Sequence, residues 1–350
     1  MTTEPFLNRL MHDPLFNRAG RLRGVWRFGL FAVLYLITLS MMWVTVNSLL
    51  SFLLRDNVTG ATGDVLKGSW GFVVQAFVLL TCATLIGWAC GRVIEGLPWR
   101  ALGWTLHRGW LGDLLFGSLI GAASLVVAAL IAAAFGGFSF ELNTAALWPA
   151  ISRTVAISCL VFGCAAAAEE ALFRGYPLQT LLRSWPAWVA VVPTSILFAV
   201  VHLDNPNVAR GFTIVNTTLA GVWLAVAYLR TRSLWFPLGV HWSWNWTMGA
   251  LLGLPVSGIT ELAPSPLLRA VDRGPEWITG GGYGIEGGAA CTVALLLSTA
   301  FIWRTRLVSA TEELKRLTDE EIPNHPAAIS IFQEDEQPTT DETERGSAHR

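Results

Sequence analysis

Leu160-Val-Phe-Gly-Cys-Ala-Ala-Ala-Ala-Glu169-Glu170-Ala-Leu-Phe-Arg174 sets two adjacent carboxylates in a run otherwise fit for the middle of a bilayer. One ionised carboxylate at the centre of a membrane helix costs roughly 2.5–3.5 kcal/mol on insertion scales. Two side by side demand partners, water or a chemical task. Successive helix residues are about 100° apart, so the glutamates cannot address the same point. Glu170 and Arg174 stand at i and i+4 and can pair on one face. Glu169 is then left one face over, free for water or a metal. A plainer arrangement, in which all three only form an interhelical ion-pair cluster, fits the same spacing.

Two more polar islands lie further along, each in apolar sequence. Phe198-Ala-Val-Val-His202 puts an aromatic ring and an imidazole on one helix face, and His241-Trp-Ser-Trp-Asn245 does the same for an imidazole and a carboxamide. Either histidine alone reads as a satisfied core residue, and the His241–Asn245 pair alone as interhelical hydrogen-bond glue. Chain distance argues for more. Glu169 and His202 are 33 residues apart with the turn-like Ser184-Trp185-Pro186 midway, so a hairpin folded there returns both side chains to one height. Imidazole and carboxamide together can donate to a developing oxyanion or complete a ligand set. Counting from the Arg230–Arg232 turn places His241 nearer the inner side than His202, a mismatch that tilt or a break after Arg174-Gly175 would remove.

Composition sets the solvent. Of the 350 residues 53% are hydrophobic and only 14% charged, against about 25% charged in soluble domains. The 17 Trp residues suit a bilayer interface. A formal net charge of −1 gives no footprint for nucleic acid. The five cysteines sit in apolar sequence without a Cys-x-x-Cys pair, and read as small buried hydrophobes. Eight stretches, near 28–54, 69–91, 114–140, 154–175, 187–203, 211–229, 234–252 and 287–303, approach the roughly 20 apolar residues of a span. With the N-terminus inside, inner segments hold 18 of the 24 Lys and Arg, as the positive-inside rule requires. The expected fold is therefore all-α, a polytopic membrane helix bundle of about eight transmembrane helices with both termini cytoplasmic, in the plasma (inner) membrane of a bacterium.

At the three islands, taken in order, the chain resembles the CPBP intramembrane protease family, also called the CAAX-protease, bacteriocin-processing or Abi family. Its pattern of Glu-Glu-x-x-x-Arg, Phe-x-x-x-His and His-x-x-x-Asn or Asp is met at Glu169-Glu170-Ala-Leu-Phe-Arg174, Phe198-Ala-Val-Val-His202 and His241-Trp-Ser-Trp-Asn245. The resemblance implies an intramembrane endopeptidase that hydrolyses peptide bonds of membrane-associated, CAAX-prenyl-protease-like substrates. Glu169 and His202 would activate the attacking water, and His241 and Asn245 would stabilise the oxyanion. Glu170 and Arg174 would be structural support. The family is also described as metalloprotease with zinc as the ion. Glu169, His202 and His241 would then be its ligands, while a metal-free mechanism would use Glu169 as a general base. A non-enzymatic protein on the same scaffold, an immunity or signalling factor or a small-solute carrier, is the alternative.

The resulting organisation is a basic cytoplasmic segment (1–27), N-terminal transmembrane helices (28–140), a catalytic helical core (150–252), an outer loop (253–286), a last span (287–303) and an acidic tail expected to be disordered (304–350). The tail holds 11 of the 25 acidic residues from position 312 onward. The expected partners are a peptide or protein substrate at the membrane and the lipid bilayer itself.

Overall fold

The computed structural model describes residues 14–17, 21–54, 69–208 and 211–319. All eight apolar segments are helical within it. They are α1 (Gly24–Leu54), α2 (Ser69–Ile94), α3 (Trp110–Ala134), α4 (Trp148–Phe173), α6 (Ala187–Val200), α7 (Phe212–Thr231), α8 (Trp235–Trp246) and α10 (Ala289–Arg304), with a seven-residue α5 (Tyr176–Leu182) between α4 and α6 and a four-residue α9 (Glu276–Thr279) before α10. Five helical stretches are long and apolar enough to cross a membrane, namely α1, α2, α3, α4 continued through α5, and α7. Helices α6, α8 and α10 have 14, 12 and 16 residues, short of a full span. Large apolar side chains such as Leu36, Met41, Leu119 and Leu130 face outward, as they must where lipid is the solvent.

Four boundaries differ from expectation. The third span ends at Ala134, because Gly136-Gly137 releases the chain into strand β1 (Phe138–Leu142). Strand β1 pairs antiparallel with β2 (Leu268–Asp272), so the segment read as an outer loop carries a small sheet as well as α9. Helix α6 stops at Val200, leaving His202 in the following turn instead of on the helix. The tail starts with α11 (Glu312–Asp319), which buries Leu314 and pairs Glu313 with Arg100 of the turn Trp99–Leu102. An amphipathic segment with an apolar stripe finds a partner even in a charged sequence. Arg9, Arg18 and residues 320–350 lie outside the described residues.

Helix α8, which bears His241, is seated chiefly on α3. The Gly117-Ser-Leu-Ile-Gly121 repeat of α3 meets the α8 backbone, and a Cβ at Gly121 would run into the Val240 carbonyl. Gly239 on α8 approaches Leu114 in the same way. Small residues at this spacing let membrane helices touch backbone to backbone. Near the α1 and α2 ends, Glu95 lies buried between Arg27 (2.5 Å), Arg183 (2.8 Å) and the Thr180 hydroxyl (2.9 Å). Arg27 and Arg183, expected as inner-loop charges, are instead a buried clasp joining α1, α2 and α5.

Candidate active site

The site is made where α4 stops. Its final turn carries Glu169 and Glu170, and the helix breaks at Arg174-Gly175, where a Cβ on Gly175 would collide with the Ala171 carbonyl. Helix α5 leaves from that break and α6 returns, which brings His202 back beside Glu169. The height mismatch at His241 is resolved by the start of α8. Leu234, just before α8, shares a buried apolar cluster with Leu178 and Leu181 of α5, so α8 begins near α5. A π-helical turn, Thr247–Leu251, begins two residues after Asn245 and marks the end of α8's regular hydrogen bonding. Such turns cluster at functional sites.

Glu169 Oε2 lies 3.8 Å from Nε2 of His202 and 3.8 Å from Nε2 of His241. Among the described residues that buried oxygen has no hydrogen-bond partner. The far nitrogen of each ring is occupied. His202 Nδ1 is 2.7 Å from the Phe198 carbonyl, and His241 Nδ1 is 2.8 Å from Glu170 Oε1. A carbonyl and a carboxylate only accept, so both Nδ1 atoms carry a proton and both rings turn Nε2 toward Glu169. The same Glu170 oxygen accepts from Arg174 Nη1 at 3.1 Å. Arg174 also donates to the Gly221 carbonyl (3.0 Å) and lies over the Phe198 ring, 4.6 Å from its centroid. The expected Glu170–Arg174 pair is present, and Glu170 in addition orients a histidine, which sequence spacing did not indicate.

These side chains line a cavity of about 480 Å³, with Asn245 on the same wall as His241 and apolar walls from Phe162, Phe173 and Leu224. All six residues singled out in the sequence are at this place. Glu169, His202, His241 and Asn245 line the cavity, while Glu170 and Arg174 are buried behind it. Asn216 of α7 also lines it, and its amide ties the loop before α10 by donating to the Glu286 and Gly288 carbonyls. Glu286 itself reaches the cavity. No apolar context flagged it, because it sits among glycines in a stretch read as loop.

Zinc prefers nitrogen and oxygen donors at about 2.0–2.2 Å. In kind, the donor set fits. One unpartnered carboxylate oxygen faces two imidazole nitrogens whose rings are anchored through Nδ1, the second-shell pattern of metal-bound histidine. In spacing it is open. Among the described residues no three His, Cys, Asp or Glu side chains are drawn into a closed ligand cluster.

Residues 151–247, which span these motifs and under a third of the chain, match the family model of type II CAAX prenyl endopeptidase Rce1-like. Across this core the chain is similar to that family. Neither a curated protein nor a solved structure gave a significant match. The apolar helices and the Rce1-like core together make this an integral membrane protein. The family whose model matches this core is one of CAAX-type endopeptidases.

Proposed function

We propose that this Rce1-like protein is an intramembrane endopeptidase in which Glu169 and His202 activate water for attack on a peptide bond of a membrane-associated substrate. The observation that carries the reading is the position of Glu169 Oε2, equidistant from the two Nε2 atoms. A water seated between them would meet an acceptor on each side. Glu169 takes its proton as the oxygen attacks, with His202 orienting the water through its Nε2 lone pair. Asn245 faces the same cavity and would donate to the oxyanion, as would His241 with a proton on Nε2. Glu170, behind His241 Nδ1, fixes that ring and can balance positive charge as it develops, a role analogous to the carboxylate of a catalytic triad. Arg174 keeps Glu170 in place.

Zinc, where bound, would be held by Glu169, His202 and His241 and would supply Lewis-acid polarisation of the water. The substrate class is a peptide or protein carrying an apolar anchor, since the cavity walls are apolar and the helices around them face lipid. The distribution of Lys and Arg favours cytoplasmic termini, and the proposed location is a bacterial inner membrane. The test uses purified full-length protein in proteoliposomes with a quenched-fluorescence prenylated CAAX-type peptide. Wild type should cleave it, and Glu169→Gln and His202→Ala should not, while both variants insert and melt like wild type. Undiminished cleavage by the variants would remove these residues from the mechanism.

A further inference from the structure

The cavity's charged lining is one-sided. Glu169 and Glu286 line it, and among the described residues no lysine or arginine does. The nearest cation behind the wall, Arg174, is committed to Glu170 and to the Gly221 carbonyl. Glu286 is held there by neutral donors. Its Oε1 accepts from Trp244 Nε1 at 3.0 Å, and its Oε2 accepts from the Ser257 amide (2.8 Å) and hydroxyl (2.9 Å). Asn216 fixes the backbone beneath it, and Trp244 is buttressed edge-on by Trp223. The carboxylate is thus immobile and, on this wall, has no counter-cation in contact. A carboxylate retains acceptor capacity beyond three hydrogen bonds. In a cavity with apolar walls, its charge acts on a substrate with little screening.

We propose that Glu286 is a specificity residue, favouring a lysine or arginine side chain on the substrate segment seated beside it and disfavouring an acidic one. This rests on the cavity being the substrate site. The physical basis is charge complementarity, which shapes discrimination more than total affinity.

Binding is the informative readout, because it does not require turnover. Prenylated peptides that differ at one position, Lys, Gln or Glu, are titrated into Glu169→Gln protein in proteoliposomes and followed by tryptophan fluorescence. In that background Glu286 is the one carboxylate lining the cavity among the described residues. The expected order is Lys, then Gln, then Glu, with about a tenfold spread in Kd that Glu286→Gln on the same background narrows to near unity. Glu286→Asp on the same background, which keeps the charge, should retain most of the spread. Equal binding of the three peptides, or a spread that Glu286→Gln leaves unchanged, would overturn the assignment. Failure of wild type to cleave would count against the protease reading alone, since the charge ranking is scored separately.

Discussion

One oxygen of Glu170 is 2.8 Å from His241 Nδ1 and 3.1 Å from Arg174 Nη1. A single fully buried carboxylate therefore serves an imidazole of the candidate site and a guanidinium with no access to water. Glu170→Gln should lower kcat about 10–100-fold, as for other residues that hold a reactive histidine. Glu169→Gln should cost more, about 10²–10⁴-fold, as loss of a general base. If Glu170 acts through His241, Glu170→Gln will also displace the pH–rate profile. Loss of folded protein alone would lower the active fraction and leave the profile where it was.

Asn245 faces the cavity one turn further along α8 than His241. Asn245→Ala should reduce kcat about 10²–10³-fold with little change in KM, the pattern for a lost oxyanion donor. Steady-state kinetics with the prenylated peptide in proteoliposomes would show it. A rise in KM at constant kcat would reassign Asn245 to substrate binding.

The Glu95 clasp makes a prediction about stability. Burial alone would raise the Glu95 pKa, but the Arg183 and Arg27 guanidiniums beside it prevail and hold it down at about 2, against an ordinary value of 4.5. A depressed carboxylate contributes stability that is fully present above its unfolded pKa and is lost as pH falls toward the folded one. Glu95→Gln should thus cost about 3–5 kcal/mol near neutral pH, since two buried guanidiniums lose their carboxylate. The gap between wild-type and variant melting temperatures should close as pH drops from about 4.5 to 2. A gap independent of pH would mean that packing, not charge, holds these helices together.

Gly121→Val tests the α3–α8 seam. A side chain there meets the Val240 carbonyl directly, and overpacking of this kind costs about 1–3 kcal/mol. Thermal melting in detergent should fall accordingly, and cleavage should fall further than the folded fraction, because the helix displaced is the one that carries His241 and Asn245.

The helices and the reactive residues were legible for separate reasons. Long uncharged runs leave few alternatives in a chain this apolar, so α1, α2, α4 and α7 lie close to the expected limits. Glu169, His202 and His241 stood out because polar side chains in such runs are costly and therefore few. The β1–β2 pairing was not legible, because its partners are about 130 positions apart and each strand is only five residues long. Arg27 and Arg183 were counted as inner-side charges because a charge next to a helix end looks solvated unless its partner is known, and here the three partners come from the ends of three different helices. Glu286 was hidden for the opposite reason, since a glutamate among glycines in a loop carries no sign of where the loop will place it.

The seat for α8 has a consequence for how portable this chemistry is. The family match begins within α4 and ends at Thr247, where α8 gives way to the π-helical turn, whereas Gly117 and Gly121 belong to α3, outside it. A fragment trimmed to the matched residues would carry Glu169, Glu170, Arg174, His202, His241 and Asn245 and lack the surface that sets the depth of two of them. The reactive segment is in this sense a tenant of the N-terminal helices, and a transplant would have to bring α3 with it.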